Sequence, residues 1–181
     1  MRDPRLLDLL DQSAPVAVTD VTWARPIRIG THLGHYELPD ELITSVRCLV
    51  RVEGQVVVCT NVDGRTEVLP GGRREPGETL TETVCREVHE ETGFVLRSDS
   101  LAMLGFLHLF NKGEPNPPYP HPDVLMLVMT GHAHPRTDET WTDTEGYVTS
   151  SRLQGLDELG PDTIDTIGWP FLQALRDRAS G

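Results

Sequence analysis

The chain has no long apolar run: the stretch from Val124 to Met129 is the longest, and a membrane helix needs about 20 apolar residues. No membrane contact is expected. It is also poor in cysteine. Cys48, Cys59 and Cys85 are odd in number and share no metal-like spacing, so they read as reduced thiols and place the protein in the cytoplasm. Behind Met-Arg-Asp-Pro-Arg there is no apolar segment of the kind that directs export. Basic residues are scarce: 16 Lys and Arg face 28 Asp and Glu, for a formal charge of −12. Long nucleic acid is held mainly by phosphate neutralisation, so it is not an expected partner, and a phosphate-bearing ligand would need a metal to mediate. No internal repeat and no linker divides the 181 residues. A single domain spanning 1–181 is expected.

What is present is ordinary for a globular protein, at 38% hydrophobic and 24% charged residues, while 14 prolines and 16 glycines imply sizeable loops. Residues 4 to 12 space Leu6, Leu7, Leu9 and Leu10 as a short amphipathic helix does, and Pro15 ends it. From Val16 to Ile43 the pattern is irregular, with hints of strands around Val18 and Ile29. TSVRCLVRV and QVVVCT read as two strands joined across Glu53-Gly54, and a further strand is expected over Arg65 to Leu69. Pro70-Gly71-Gly72 and Pro76-Gly77 mark a loop. Thr79 with Glu82 fits a capping box and Gly93 a left-handed terminus, which predicts a helix over about 79 to 92. Leu101 to Phe110 and Val124 to His132 read as strands, separated by NKGEPNPPYPHPD, a loop long enough to be functional. A short strand over Gly146 to Ser150 and a closing helix over Trp169 to Arg178 complete the pattern.

The chemistry gathers between Gly72 and Phe94. On a helix, setting Glu87 at 0° puts Glu91 at about 40° and Glu90 at about −60°, so three carboxylates share one face. The apolar stripe Leu80, Val84 and Val88 overlaps them, so these acids border the buried side. Like charges so placed repel, more strongly when partly desolvated, and a cation among them is expected. Oxygen ligands suit Mg²⁺; zinc is disfavoured without histidine or thiolate. For an arbitrary run of glutamates a solvated helix, paired for instance as Glu82 with Arg86, would be the default. The complete spacing argues otherwise: Gly72, Glu78, Arg86, Glu87, Val88, Glu90, Glu91, Gly93 and Phe94 match Gly-x5-Glu-x7-Arg-Glu-U-x-Glu-Glu-x-Gly-U, with U apolar.

This stretch resembles the Nudix hydrolase box, with Phe94 standing where the family more often has an aliphatic residue. The resemblance implies the Nudix fold, an α/β (α+β) architecture with a mixed β-sheet sandwiched between α-helices, and leaves residues 1–43 as an N-terminal extension that adds a homodimer contact or a wall of the substrate site. It implies hydrolysis of a nucleoside diphosphate linked to another group, as in a nucleotide sugar, a dinucleoside polyphosphate or a nucleoside triphosphate, with Mg²⁺ or Mn²⁺. Carried over residue by residue, Glu87, Glu90 and Glu91 are the metal ligands, joined by a backbone carbonyl at Gly71 or Gly72, and Glu78 pairs with Arg86 to support them. The general base is a box glutamate or a downstream acid, Glu145 ahead of Glu139 and Asp143. The proline that resembles the ADP-ribose pyrophosphatase marker, about fifteen residues past the box, is absent near Leu109, and Phe110 stands where dinucleoside polyphosphate hydrolases often carry tyrosine. The loop from Asn111 to Asp123, with Tyr119 and His121, is a candidate lid; His132 and His134 are left outside the site. Two other classes compete. A non-catalytic nucleotide-binding module predicts eroded box glutamates, and an isopentenyl-diphosphate isomerase-like enzyme needs a catalytic cysteine whose context Cys48 and Cys59 lack.

Overall fold

The computed structural model describes residues 2–22, 25–136 and 141–179. Asp3 opens the first helix, α1 (Pro4–Gln12), by accepting the Arg5 N–H, with Pro4 where its missing donor costs nothing. Two strands follow, β1 (Ala17–Thr22) and β2 (Pro26–Leu33). Then come β3 (Ile43–Val52) and β4 (Gln55–Asn61), joined by Glu53 and Gly54 at φ 48° and 86°, the conformation a two-residue hairpin requires. Short strands β5 (Thr66–Glu67) and β6 (Gly71–Arg73) lead into α2 (Leu80–Thr92). After it run β7 (Val95–Leu96), β8 (Ala102–Asn111), β9 (Asp123–His134), β10 (Val148–Gly155) and α3 (Trp169–Ala179).

The main sheet has the order β1-β2-β8-β9-β3-β4-β10 and is mixed: β3 and β9 are parallel, whereas β8 with β9 and β3 with β4 are antiparallel. Strand β3 is buried on both faces, as a central strand covered by helices should be. On one side Val46, Cys48 and Val50 pack with Leu6 of α1 and Val84 and Val88 of α2. On the other, Leu49 packs with Phe171, Leu172 and Leu175 of α3. The sheet therefore lies between helices, as the resemblance implied. Among the described residues no helix is long and apolar enough to cross a membrane.

The structure departs from the sequence-based expectation at two places that matter. The strand expected over 65–69 is only two residues long, and the Gly71–Arg73 segment, expected to be loop, is a strand. Its partner is remote: Ser45, Val46 and Arg47 pair with Arg73, Gly72 and Gly71. Further along the same edge β3 pairs instead with β4, through Arg51 and Val52. Strand β3 thus forks the sheet, and the fork holds the chain just ahead of α2 in register with Arg47.

Candidate active site

Helix α2 starts as its sequence dictates, with Thr79 accepting from the Glu82 N–H and the Glu82 carboxylate accepting from the Thr79 N–H, and ends at Gly93 with φ 72°. Burying Val84 and Val88 turns the neighbouring acids toward the sheet, and Glu87 is only 9% exposed. Arg86 gathers them. Its Nε and Nη2 donate to the two Glu78 oxygens at 2.6 and 2.9 Å, and its Nη1 donates to Glu87 Oε1 at 2.9 Å and Glu90 Oε2 at 3.0 Å. Nη2 also donates to the Arg73 carbonyl at 3.0 Å, tying the helix to β6. The loop is bound to the helix from the other side, since Glu78 accepts from Thr83 Oγ1 and from the Glu75 N–H.

Two glycines let the β6 backbone close on these carboxylates. Gly71 has φ 137°, and a Cβ there would fall 2.2 Å from the Val46 carbonyl oxygen. Its N–H donates to Glu91 Oε2 at 2.6 Å. A Cβ at Gly72 would lie 2.4 Å from Glu87 Oε2. Burial pushes Glu91 up to about 7, against the opposing effects of Arg47 and the Gly71 N–H. Glu87 is raised as well, again chiefly by burial. Glu78 behaves oppositely, held at about 2 by its bonds from Arg86.

The structure thus brings Glu78, Arg86, Glu87, Glu90, Glu91 and Gly72 together. Glu145 is not among them: it is exposed, and its own N–H is bonded to Asp143. Asp143 organises that turn, accepting also from the Tyr147 and Val148 N–H groups, which leaves it a structural task. Glu139 lies outside the described residues. Glu82 bonds Thr79 rather than Arg86, because the capping geometry takes its carboxylate toward the helix start. His132 and His134 are exposed at the end of β9.

Sequence reasoning missed the cleft beside the box. One lobe, of about 440 Å³, is lined by Arg25, Arg47, Gly72, Arg73 and Tyr119 over an apolar floor that includes Ile27, Leu109 and Met126. A second, of about 330 Å³, is lined by Glu67, Tyr147 and Asp165 with Leu107, and shares Arg47 and Met126 with the first. Burial raises both Glu67 and Asp165. The available signal was Arg47 itself, a charged residue inside the apolar run of β3. Arg25, Arg73 and Asp165 converge only through the fold.

A family model for the NUDIX domain matches residues 42–175. The chain belongs to the Nudix family. Among curated proteins it is 34% identical over 102 residues to the m7GpppN-mRNA hydrolase NUDT17 of Xenopus laevis, a match covering 47% of this chain and 34% of that protein. The chain thus spans about a third of that relative's length. Among solved structures it resembles the Bacillus subtilis pyrophosphohydrolase BsRppH, at 18% identity and a TM-score of 0.62 over 88% of this chain and 97% of the other. A NUDIX hydrolase from Nitrosomonas europaea superposes with a TM-score of 0.58 at 15% identity, over 75% of this chain and 90% of that one. The NUDIX domain of Shewanella oneidensis NrtR, in complex with ADP ribose, gives 0.55 at 16% identity, over 76% and 88%. These likenesses establish the fold.

Nudix hydrolases generally use divalent metal ions. Among the described residues no group of three or more His, Cys, Asp or Glu side chains is gathered as a metal site; Arg86 lies between Glu87 and Glu90 instead. The donor set nevertheless fits a hard cation. Glu87 and Glu91 are carboxylates whose burial is only partly compensated by Arg86, Arg47 and the Gly71 N–H, a deficit that a divalent ion would relieve, and the glycine backbone of β6 lies directly against both.

Proposed function

We propose that this Nudix protein is a metal-dependent diphosphohydrolase, cleaving the pyrophosphate linkage of a nucleoside diphosphate joined to another group. The observation that carries the reading is the convergence of Glu87, Glu90 and Glu91 with Arg86 and the Gly71–Gly72 backbone. In this reading the three carboxylates and the Gly72 carbonyl hold Mg²⁺ or Mn²⁺. When bound, the ion neutralises the diphosphate and lowers the pKa of water at the site. Arg86 and Glu78 act as positioning residues, keeping the helix and β6 at a fixed distance. Glu91 is the favoured general base, since its carboxylate lies inside the site against the Gly71 backbone. Glu145 is the alternative base. Support for a nucleotide substrate comes from relatives, one named as an mRNA cap hydrolase and one seen with ADP ribose.

The deciding measurement is a panel of nucleoside triphosphates, nucleotide sugars, ADP-ribose and dinucleoside polyphosphates, followed by phosphate release after coupling in Mg²⁺ or Mn²⁺. Turnover of at least one class, abolished by EDTA, is expected. Activity that survives excess EDTA overturns the metal assignment; binding without turnover of any compound points to a nucleotide-binding module. Glu91→Gln and Glu145→Gln, assayed singly, separate the two candidate bases.

A further inference from the structure

The arginines of this chain differ in what holds them. Arg2, Arg5, Arg28, Arg65, Arg74, Arg86 and Arg97 each have a carboxylate partner. Arg25, Arg47 and Arg73 make no ion pair among the described residues, although Arg47 lies within electrostatic reach of Glu67, Glu87, Glu91 and Asp165, and all three line the same lobe of the cleft beside Gly72. Three such arginines converging on one lobe that, among the described residues, no carboxylate lines, in a chain of charge −12, call for an anion. Their present partners are neutral and few. Arg25 Nη1 donates to the carbonyls of Glu114 and Pro115, Arg47 Nη1 donates to the Leu69 carbonyl at 3.4 Å, and the Arg73 guanidinium lies 4.9 Å over the Tyr119 ring. A guanidinium has five donors, so each keeps most of them for a ligand.

From this we infer that the ligand carries a chain of three or more phosphates, and that Arg25, Arg47 and Arg73 hold the phosphates beyond the cleaved linkage. The inference rests on the diphosphohydrolase reading of the box and adds the substrate class. The box has little positive charge to spare for further phosphates, because Glu78, Glu87, Glu90 and Glu91 outnumber Arg86 and the more distant Arg47. The direction of the chain follows from the two lobes: the second sets Glu67 and Asp165 against Arg47 and Arg65, whereas the first has three arginines and, among the described residues, no carboxylate, so the surplus phosphates run into the arginine lobe. A sugar-linked diphosphate has no further phosphate to place there and would leave three guanidiniums facing neutral hydroxyls. Tyr119 and the carbonyls of Glu114 and Pro115 are positioning groups, since they hold Arg73 and Arg25 at the wall.

The test is calorimetric binding of non-hydrolysable methylene-bridged analogues of ADP, ATP and ADP-ribose in Mg²⁺. The ATP analogue should bind wild type about tenfold more tightly than the ADP analogue, the worth of one charge-assisted contact set. Arg25→Ala and Arg73→Ala should each shrink that ratio to about two by weakening the ATP analogue more than the ADP analogue, and Arg73→Lys should restore part of it. Arg25 and Arg73 are chosen over Arg47, which is part of a central strand. Equal wild-type affinity for the two chain lengths overturns the inference, as does an equal loss for both analogues in the variants. Hydrolysis of the cleavable parent compounds is scored separately. Chain-length discrimination through the arginines without any hydrolysis sinks the enzymatic reading and upholds the phosphate site; hydrolysis with no discrimination does the reverse.

Discussion

Glu91 shows how one side chain couples stability to the site. Its pKa is raised to about 7 by burial, so in the metal-free protein the stability it leaves intact is present below the ordinary carboxylate range and is lost as pH rises through about 7. Metal-free Glu91→Gln should therefore unfold at higher denaturant than wild type at pH 8, by about 2 kcal/mol, with the difference vanishing near pH 4. Urea titrations at the two pH values measure it. Arg86 makes the opposite case, since its loss releases Glu78, Glu87 and Glu90 together. Arg86→Ala should lower kcat/KM by about 10- to 100-fold, the usual cost of removing a group that orients ligands, and Arg86→Lys should recover little because the fork to Glu78 is lost. These roles were legible because helical spacing is a local rule. Arg47 was harder to place, since its meaning depends on β6 and the cleft, which no local pattern reports.

At the scale of elements, α2 was readable from end to end, as its capping box and terminal glycine are both chemical signatures within one turn of the chain. Thr79→Ala should cost about 1 kcal/mol, lowering the melting temperature by about 2–4 °C in a chain of this size. Gly72→Ala should behave differently: its Cβ would displace the Glu87 carboxylate, so activity should collapse in a kinetic assay while the melting temperature moves little. Strand β6 was not readable, because three residues containing two glycines have no strand propensity and pair only because Ser45–Arg47 are presented to them. Strand β10, running to Gly155 rather than ending near 150, was underestimated for the same reason: its partner β4, not its own pattern, sets its length.

For the molecule as a whole, the N-terminal residues are wired into the sheet rather than appended to it. Leu6 is fully buried with Val84 and Val88 in one cluster, and Arg2 bonds both oxygens of Asp123, which His108 also reaches at 2.7 Å. Burial alone would raise Asp123, but the bonds from Arg2 and His108 outweigh it and the carboxyl is held low. Asp123→Asn should destabilise the fold by about 2 kcal/mol at pH 7. Wild type should lose this contribution as pH falls below about 4 while the variant does not, a contrast that acid titration followed by circular dichroism would reveal.

The parallel pairing of β3 with β9 sets the order in which such a molecule can be made. Residues 43–52 emerge from the ribosome early, yet one edge of that strand stays open until residues 123–134 arrive. The whole of the glutamate helix is synthesised inside that unclosed loop. The carboxylates are thus synthesised before the strand that completes the sheet beneath them, and long-range closure of this kind is the slow part of folding. Nascent chains cut short before β9 should bind no nucleotide in an equilibrium binding assay, since the wall bearing Arg47 then lacks its neighbour on the β9 side.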